Sequence, residues 1–128
     1  MFKIGIIDKM NNKGIDLLKS NKDFSVDLIT DLSRENLLKV LPKYDGVTLR
    51  RGFLDSEILK DCKNLKVIAR HGVGYDNVDT KYCKENNITL LITHDSTSTS
   101  PSEHIMFMIL NIYKGRETFD KMVRDGKF

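Results

Sequence analysis

Five short apolar runs, each followed by a helix-like stretch, limit what this chain can fold into. They are "FKIGII" (2–7), "FSVDLIT" (24–30), "DGVTL" (45–49), "LKVIA" (65–69) and "ITLLIT" (88–93). Between them lie stretches with helical spacing. "NNKGIDLLKSN" carries Ile15, Leu17 and Leu18, and "DLSRENLLKVL" puts Leu37, Leu38 and Leu41 on one face. Ser33 is placed to cap that second helix and Pro42 to stop it. Asp55 starts "DSEILKDC" and Asp79 starts "DTKYCKEN" in the same way. Strands apolar on both faces, alternating with helices, predict a parallel sheet covered on both sides. The expected fold is an α/β, flavodoxin-like doubly wound five-stranded parallel sheet.

The C-terminal end breaks the alternation. After the polar "STSTS", the residues "SPSE" (100–103) predict a helix start, with Ser100 as cap, Pro101 in the first position and Glu103 closing a capping box. Ile105 to Leu110 are then six consecutive apolar residues, enough to cover every side of a helix. A five-stranded domain can cover only one side of such a helix. This predicts a long apolar C-terminal helix that packs on another chain or domain. The division expected is a domain over 1–99 and a linker helix over 100–128.

Composition narrows the function. The 128 residues include 21 Lys and Arg against 18 Asp and Glu, a net charge of +3. The charges are interspersed, whereas a nucleic-acid binder concentrates its basic residues. No nucleic-acid partner is expected. The longest apolar run is too short to cross a bilayer, and the N-terminus lacks the pattern of a secretory signal. Cys62 and Cys83 form no CxxC pair and read as buried, reduced thiols. No membrane partner is expected, and the predicted location is cytoplasmic.

The stretch with chemical content is "ARHGVGYDNVD" (69–79), directly after the fourth strand. Ligands of doubly wound sheets bind outside the carboxyl ends of the strands. Glycine permits a tight turn and close approach of a ligand to backbone, and successive outward N–H groups hold anions. A carboxylate or phosphate at the amides of Gly72, Val73 and Gly74 is one reading; a simple tight turn is the other. Arg50 closes the third strand at the same sheet edge and can clamp a carboxylate with two hydrogen bonds. Asn77 could hold the loop or touch the ligand.

The stretch also resembles the glycine loop of the D-isomer-specific 2-hydroxyacid dehydrogenases, closest to the phosphoglycerate dehydrogenase branch. "YDGVTLRRGFLDSEIL", "LKVIARHGVGYDNVDTKYCKENNI" and "SPSEHIMFMIL" extend the resemblance over nearly the whole chain. It implies the substrate-binding domain of such an enzyme. It also implies that the amides of Val73 and Gly74 bind the substrate carboxylate, with Arg50 beside the substrate and Asn77 in the same loop. His94, Asp95 and Thr97 stand where the family usually has proline, glycine and asparagine, and Arg51 stands where the phosphoglycerate branch commonly has serine.

The family's full-length enzymes use NAD. A dinucleotide loop needs GxGxxG after a strand and an acidic residue about twenty positions on. Here "GVG" lacks the third glycine, and the resemblance assigns it to substrate. The family's catalytic Arg, Glu and His lie beyond the nucleotide fingerprint. No catalytic residue is therefore assigned, no NAD is expected to bind this chain alone, and the chain alone is expected to be inactive. His71, beside the loop, reads as a surface or loop-stabilising residue, and His104 as a packing residue. No zinc-ligand spacing occurs among the histidines, and no metal is expected.

The expected function is substrate binding within an NAD-dependent oxidoreductase acting on a small D-2-hydroxy acid, the chain stopping before the NAD site. A signalling receiver would need a phosphoacceptor Asp after the third strand, which here ends in Arg50. A free-standing, non-catalytic anion-binding and dimerisation module is the other alternative. The partners expected are a small carboxylate and either a second copy, through the 101–113 helix, or a nucleotide-binding domain. The apolar helix predicts dimers by analytical ultracentrifugation; monomer alone at high concentration contradicts this.

Overall fold

The computed structural model describes residues 1–95 and 97–127. They form two compact units, Met1–Thr93 and His94–Phe128. In the first unit β1 (Phe2–Ile7), β2 (Phe24–Ile29), β3 (Gly46–Leu49), β4 (Val67–Arg70) and β5 (Thr89–Ile92) make one sheet. The strand order is β2-β1-β3-β4-β5 and every pairing is parallel. This is the flavodoxin-like order, as expected. The crossovers carry α1 (Asn12–Ser20), α2 (Arg34–Val40), α3 (Ser56–Leu59) and α4 (Thr80–Glu85).

The capping residues named from the sequence act as caps. Ser33 accepts from the Asn36 amide, Asp55 from Ile58 and Asp79 from Tyr82. Each satisfies an N–H that the first helical turn leaves without a partner. Pro42 turns the end of α2 into a single 3-10 turn, Leu41–Lys43. α3 is one turn long, shorter than the stretch from Asp55 to Cys62 suggested.

The core lies on both sides of the inner strands. Ile6 and Ile7 point to opposite faces of β1 and both are buried. Leu49, Ile68, Leu37, Leu41, Leu54 and Ile58 pack into one cluster with the ring of Tyr44. The Tyr44 hydroxyl donates to Asp27 at 3.1 Å. Gly5 permits that ring to lie against β1, since a Cβ there would come 3.0 Å from Tyr44 Cδ2. Cys62 and Cys83 are buried free thiols. Burial pushes the Cys62 thiol up to about 11, and Cys83 moves in the same direction for the same reason.

The second unit differs in detail from the sequence expectation. Its first helix, α5, runs Thr99–Lys114 with Ser98 as N-cap, so Pro101 occupies the third helical position. Proline is tolerated there because the first-turn N–H groups have no intrahelical acceptor. The expected capping box is not made: Ser98 offers only its carbonyl, to the amide and hydroxyl of Ser102. Gly115, at φ 58°, ends α5 in the left-handed conformation and starts α6 (Arg116–Arg124), a helix the sequence reading did not separate. Ile105 to Leu110 are each between 48% and 57% exposed. Among the described residues no helix is long and apolar enough to cross a membrane.

Leu49 is fully buried in the central strand. Leu49→Ala is expected to lower unfolding free energy by about 2–5 kcal/mol, the usual cost of the lost contacts plus the cavity. Urea denaturation, with the slope unchanged, measures it.

Candidate functional site

β3 and β4 lie side by side, and the loops after their carboxyl ends are joined. Leu54 and Val78 form an isolated parallel bridge beyond the strands. The Leu54 amide donates to Asn77 O at 2.9 Å, and Asp79 returns an amide to Leu54 O at 3.0 Å. The Asn77 side chain extends the joint: Nδ2 donates to Gly52 O at 2.7 Å, and Oδ1 accepts from Arg70 Nε at 3.2 Å. Asn77 is thus a brace, with both ends of its amide taken by the protein.

The glycine loop hangs from this brace. Gly72 has φ 146°, a conformation side chains rarely adopt, and its amide donates to Arg70 O at 3.0 Å. A Cβ at Gly72 would lie 2.7 Å from Arg70 Nη1, because the guanidinium folds across the glycine to donate to His71 O. The loop is tied on both sides at its start. The His71 amide donates to Leu49 O at 2.8 Å, and Gly72 O accepts from Thr93 at 3.1 Å. Among the described residues no acceptor faces the amides of Val73 or Gly74. Gly74 has no positive φ, and a Cβ there would meet only Asp76 at ordinary contact distance.

The two loops enclose a cleft of about 400 Å³ whose wall includes Arg50, Arg51, Arg70, Gly74, Asp76 and Asn77. Of the residues named from the sequence, Arg50, Gly74 and Asn77 line it. Gly72 and Val73 belong to the same loop but lie outside that wall. Arg50 is exposed, and among the described residues no carboxylate pairs with it. A larger hollow of about 540 Å³ lies next to it, with Gly52, Phe53, Asp76 and Asn77 shared between the two. Leu32, Leu37, Leu54 and Ile58 make it apolar. Its one arginine, Arg34, is occupied by Asp55 and Glu57.

Arg70 and the pair of Arg51 with Asp8 escaped the sequence reading. Arg70 stands inside the quoted motif, yet only the fold shows its side chain turning back over the loop. Arg51 donates to Asp8 through Nε at 2.6 Å and Nη2 at 3.1 Å. Asp8 is 6% exposed and left-handed, at φ 70°. It follows β1, which adjoins β3, so the pair stands where the strand order reverses. The Arg51 guanidinium, helped by the Lys9 amide, holds the Asp8 carboxyl down at about 2. An acid after one run and a basic residue after another were legible; their adjacency required the strand order.

His71, His94 and Asp95 are exposed. Among the described residues no group of three His, Cys, Asp or Glu side chains could hold a metal. The glycine pair is not at a helix N-terminus, since the next helix starts at Thr80 under its own Asp79 cap.

The site thus stands on a doubly wound α/β domain, with backbone amides and, among the described residues, an arginine without a carboxylate partner at the carboxyl ends of two inner strands. Residues 4–125 match the model of the D-isomer specific 2-hydroxyacid dehydrogenase catalytic domain, and the chain belongs to that family. A D-3-phosphoglycerate dehydrogenase of Archaeoglobus fulgidus is 29% identical over 98% of this chain and 24% of its own length. A hydroxypyruvate reductase of Thermotoga maritima is 27% identical over 99% of this chain and 42% of its own. Among solved structures, a Pyrococcus horikoshii protein matches with TM-score 0.85 at 28% identity, over 99% of this chain and 38% of that one. An NAD+-bound 3-phosphoglycerate dehydrogenase of Entamoeba histolytica matches with TM-score 0.73 at 27% identity, over 86% of this chain and 38% of that one. The chain therefore spans between about a quarter and two-fifths of these relatives.

Acid tests the Asp8 pair. A carboxyl held near 2, against 3.8 ordinarily, contributes stability that is complete above about pH 4 and lost as pH falls through about 2. The stability difference between the chain and its Asp8→Asn variant is expected to be constant from pH 7 to about 5 and to shrink between 4 and 2. Urea midpoints across that range measure it.

Proposed function

We propose that this chain is the substrate-binding part of an NAD-dependent oxidoreductase acting on the CH–OH group of a small D-2-hydroxy acid. Family membership supports the reaction class, and the cleft supplies the chemistry. The observation that carries the reading is that Arg50 lines the same cleft as Gly74 and, among the described residues, has no carboxylate partner, while the amides of Val73 and Gly74 have no acceptor. In this reading the substrate carboxylate takes the amides of Val73 and Gly74, and Arg50 clamps it through charge-assisted hydrogen bonds. Gly72 gives the loop its turn, and Asn77 with Arg70 keeps the loop in place.

NAD, when bound to the whole enzyme, supplies hydride transfer to and from C2. Residues outside those described here would hold it, together with the proton-transferring group. This chain's own part is to fix the acid so that one face of C2 is presented. Orientation of this kind is a large share of catalysis in reactions between two bound molecules. The relatives named phosphoglycerate dehydrogenase and hydroxypyruvate reductase support a small hydroxy or oxo acid as substrate.

The exposed apolar residues of α5 favour a second copy or a nucleotide-binding domain as partner. They also keep a second reading open, a non-catalytic anion-binding module that pairs through α5. The buried, unpaired thiols agree with the reducing cytoplasm as its location.

Glyoxylate added to the chain is expected to shift the amide signals of Val73 and Gly74 in a two-dimensional NMR titration. Arg50→Ala is expected to weaken binding by about 1–3 kcal/mol, the usual effect of losing a charged hydrogen-bond donor. Unchanged affinity would remove Arg50 from the site.

A further inference from the structure

Resting on the proposed anion site, we propose that Asp8 sets its charge: by holding Arg51, it tunes the cleft to singly charged hydroxy or oxo acids and against acids that also carry a phosphate.

Three arginines line the cleft, Arg50, Arg51 and Arg70. Left alone, they would suit a ligand with more than one negative charge. The wall also carries Asp76, and Asp8 lies behind Arg51 at 2.6 Å. Three cations against two carboxylates leave one positive charge, the complement of one carboxylate. The three arginines are also unequal. Arg70 is turned onto His71 O and Asn77, and Arg51 onto Asp8 through both Nε and Nη2. Of the three, Arg50 alone has no partner among the described residues.

The Arg51 pair is suited to act as a fixed neutraliser. Asp8 is buried and held in place, with its amide donating to Ile29 O at 3.0 Å. Arg51 keeps a 70% exposed side chain yet is oriented by two hydrogen bonds. A phosphate would have to draw Arg51 away, leaving a buried carboxylate without its partner, an expensive state. Selectivity then comes from a cost imposed on the wrong ligand. The phosphate adds nearly two negative charges (about −1.5 to −2) where the wall offers no more compensation.

The probes are D-glycerate and D-3-phosphoglycerate, the same hydroxy acid without and with a phosphate, titrated into the 128-residue chain and followed at the amides of Val73 and Gly74. The chain is expected to bind the phosphorylated acid no more tightly than D-glycerate. Asp8→Asn, which keeps a residue that tolerates the left-handed backbone, is expected to tighten the phosphorylated acid by about tenfold and D-glycerate by about threefold or less. Arg51→Gln leaves the carboxylate uncompensated and is expected to weaken the phosphorylated acid by a similar factor. The double variant is expected to lie within about threefold of the original. If Asp8→Asn does not fold, Arg51→Gln decides by its sign. D-glycerate binding with the ratio of affinities unchanged in the variants overturns the role of Asp8 alone. A strong preference of the original chain for the phosphorylated acid does the same. Neither probe shifting those amides in any variant overturns the anion site together with it.

Discussion

The joint between the β3 and β4 loops is the constraint on which the candidate site depends. Parallel strands can meet only by hydrogen bonds along their length, and here the pairing does not stop where the strands stop. Leu54 and Val78 add one more bridge beyond Leu49 and Arg70, and the side-chain amide of Asn77 continues the pattern. Each bond in that joint is modest, on the order of 1 kcal/mol net. Their effect is geometric: Gly52, Arg70 and the glycine loop become one piece of backbone rather than two surface loops. The hydrophobic side chains of Leu54 and Val78 are both buried, so the joint is also anchored in the core.

Rigidity of this kind explains how residue types divide the work. In the proposed reading the groups offered to a ligand are backbone amides and one arginine, while the side chains of Asn77 and Arg70 are spent on holding the loops. Asn77 could serve either purpose from its sequence position alone; the structure commits both ends of its amide to the brace. Arg70 does the same with a guanidinium, lying over Gly72 where any Cβ would meet it. The requirement for glycine there comes from the backbone angle, since the overlying guanidinium is the far end of a flexible side chain that can shift. Gly74 carries no such requirement, so the absence of its side chain leaves room beside the cleft instead of relieving strain.

Much of the fold was legible because the signals were local. Apolar runs gave five strands, and Ser33, Asp55 and Asp79 marked helix starts through hydrogen bonds that span three residues. The family resemblance reached the glycine loop for the same reason, since the motif is contiguous. What stayed hidden was set by neighbours distant in sequence. Asp8 and Arg51 are separated by 43 residues and meet only because β1 and β3 are adjacent. The start of α5 was misjudged for a different reason. A Ser-Pro-Ser-Glu run satisfies the capping rules, but the competing start two residues earlier uses the carbonyl of Ser98, and no side-chain pattern announces a backbone cap. Gly115, an ordinary helix stop in sequence, also begins a second helix.

The strand order places a crevice at the reversal between β1 and β3, where doubly wound domains commonly receive ligands. In this chain an ion pair, Asp8 with Arg51, stands at that crevice. The open cleft lies instead one strand further, between the loops of β3 and β4. The displacement has a simple electrostatic cause. A carboxylate fixed at the end of β1 repels an anion at the switch point and attracts the nearest guanidinium, leaving Arg50 as the cation free to face the glycine loop. In the proposed reading the ion pair and the anion cleft are two parts of one charge arrangement, and Asp8, which anchors the first, sets the charge of the second.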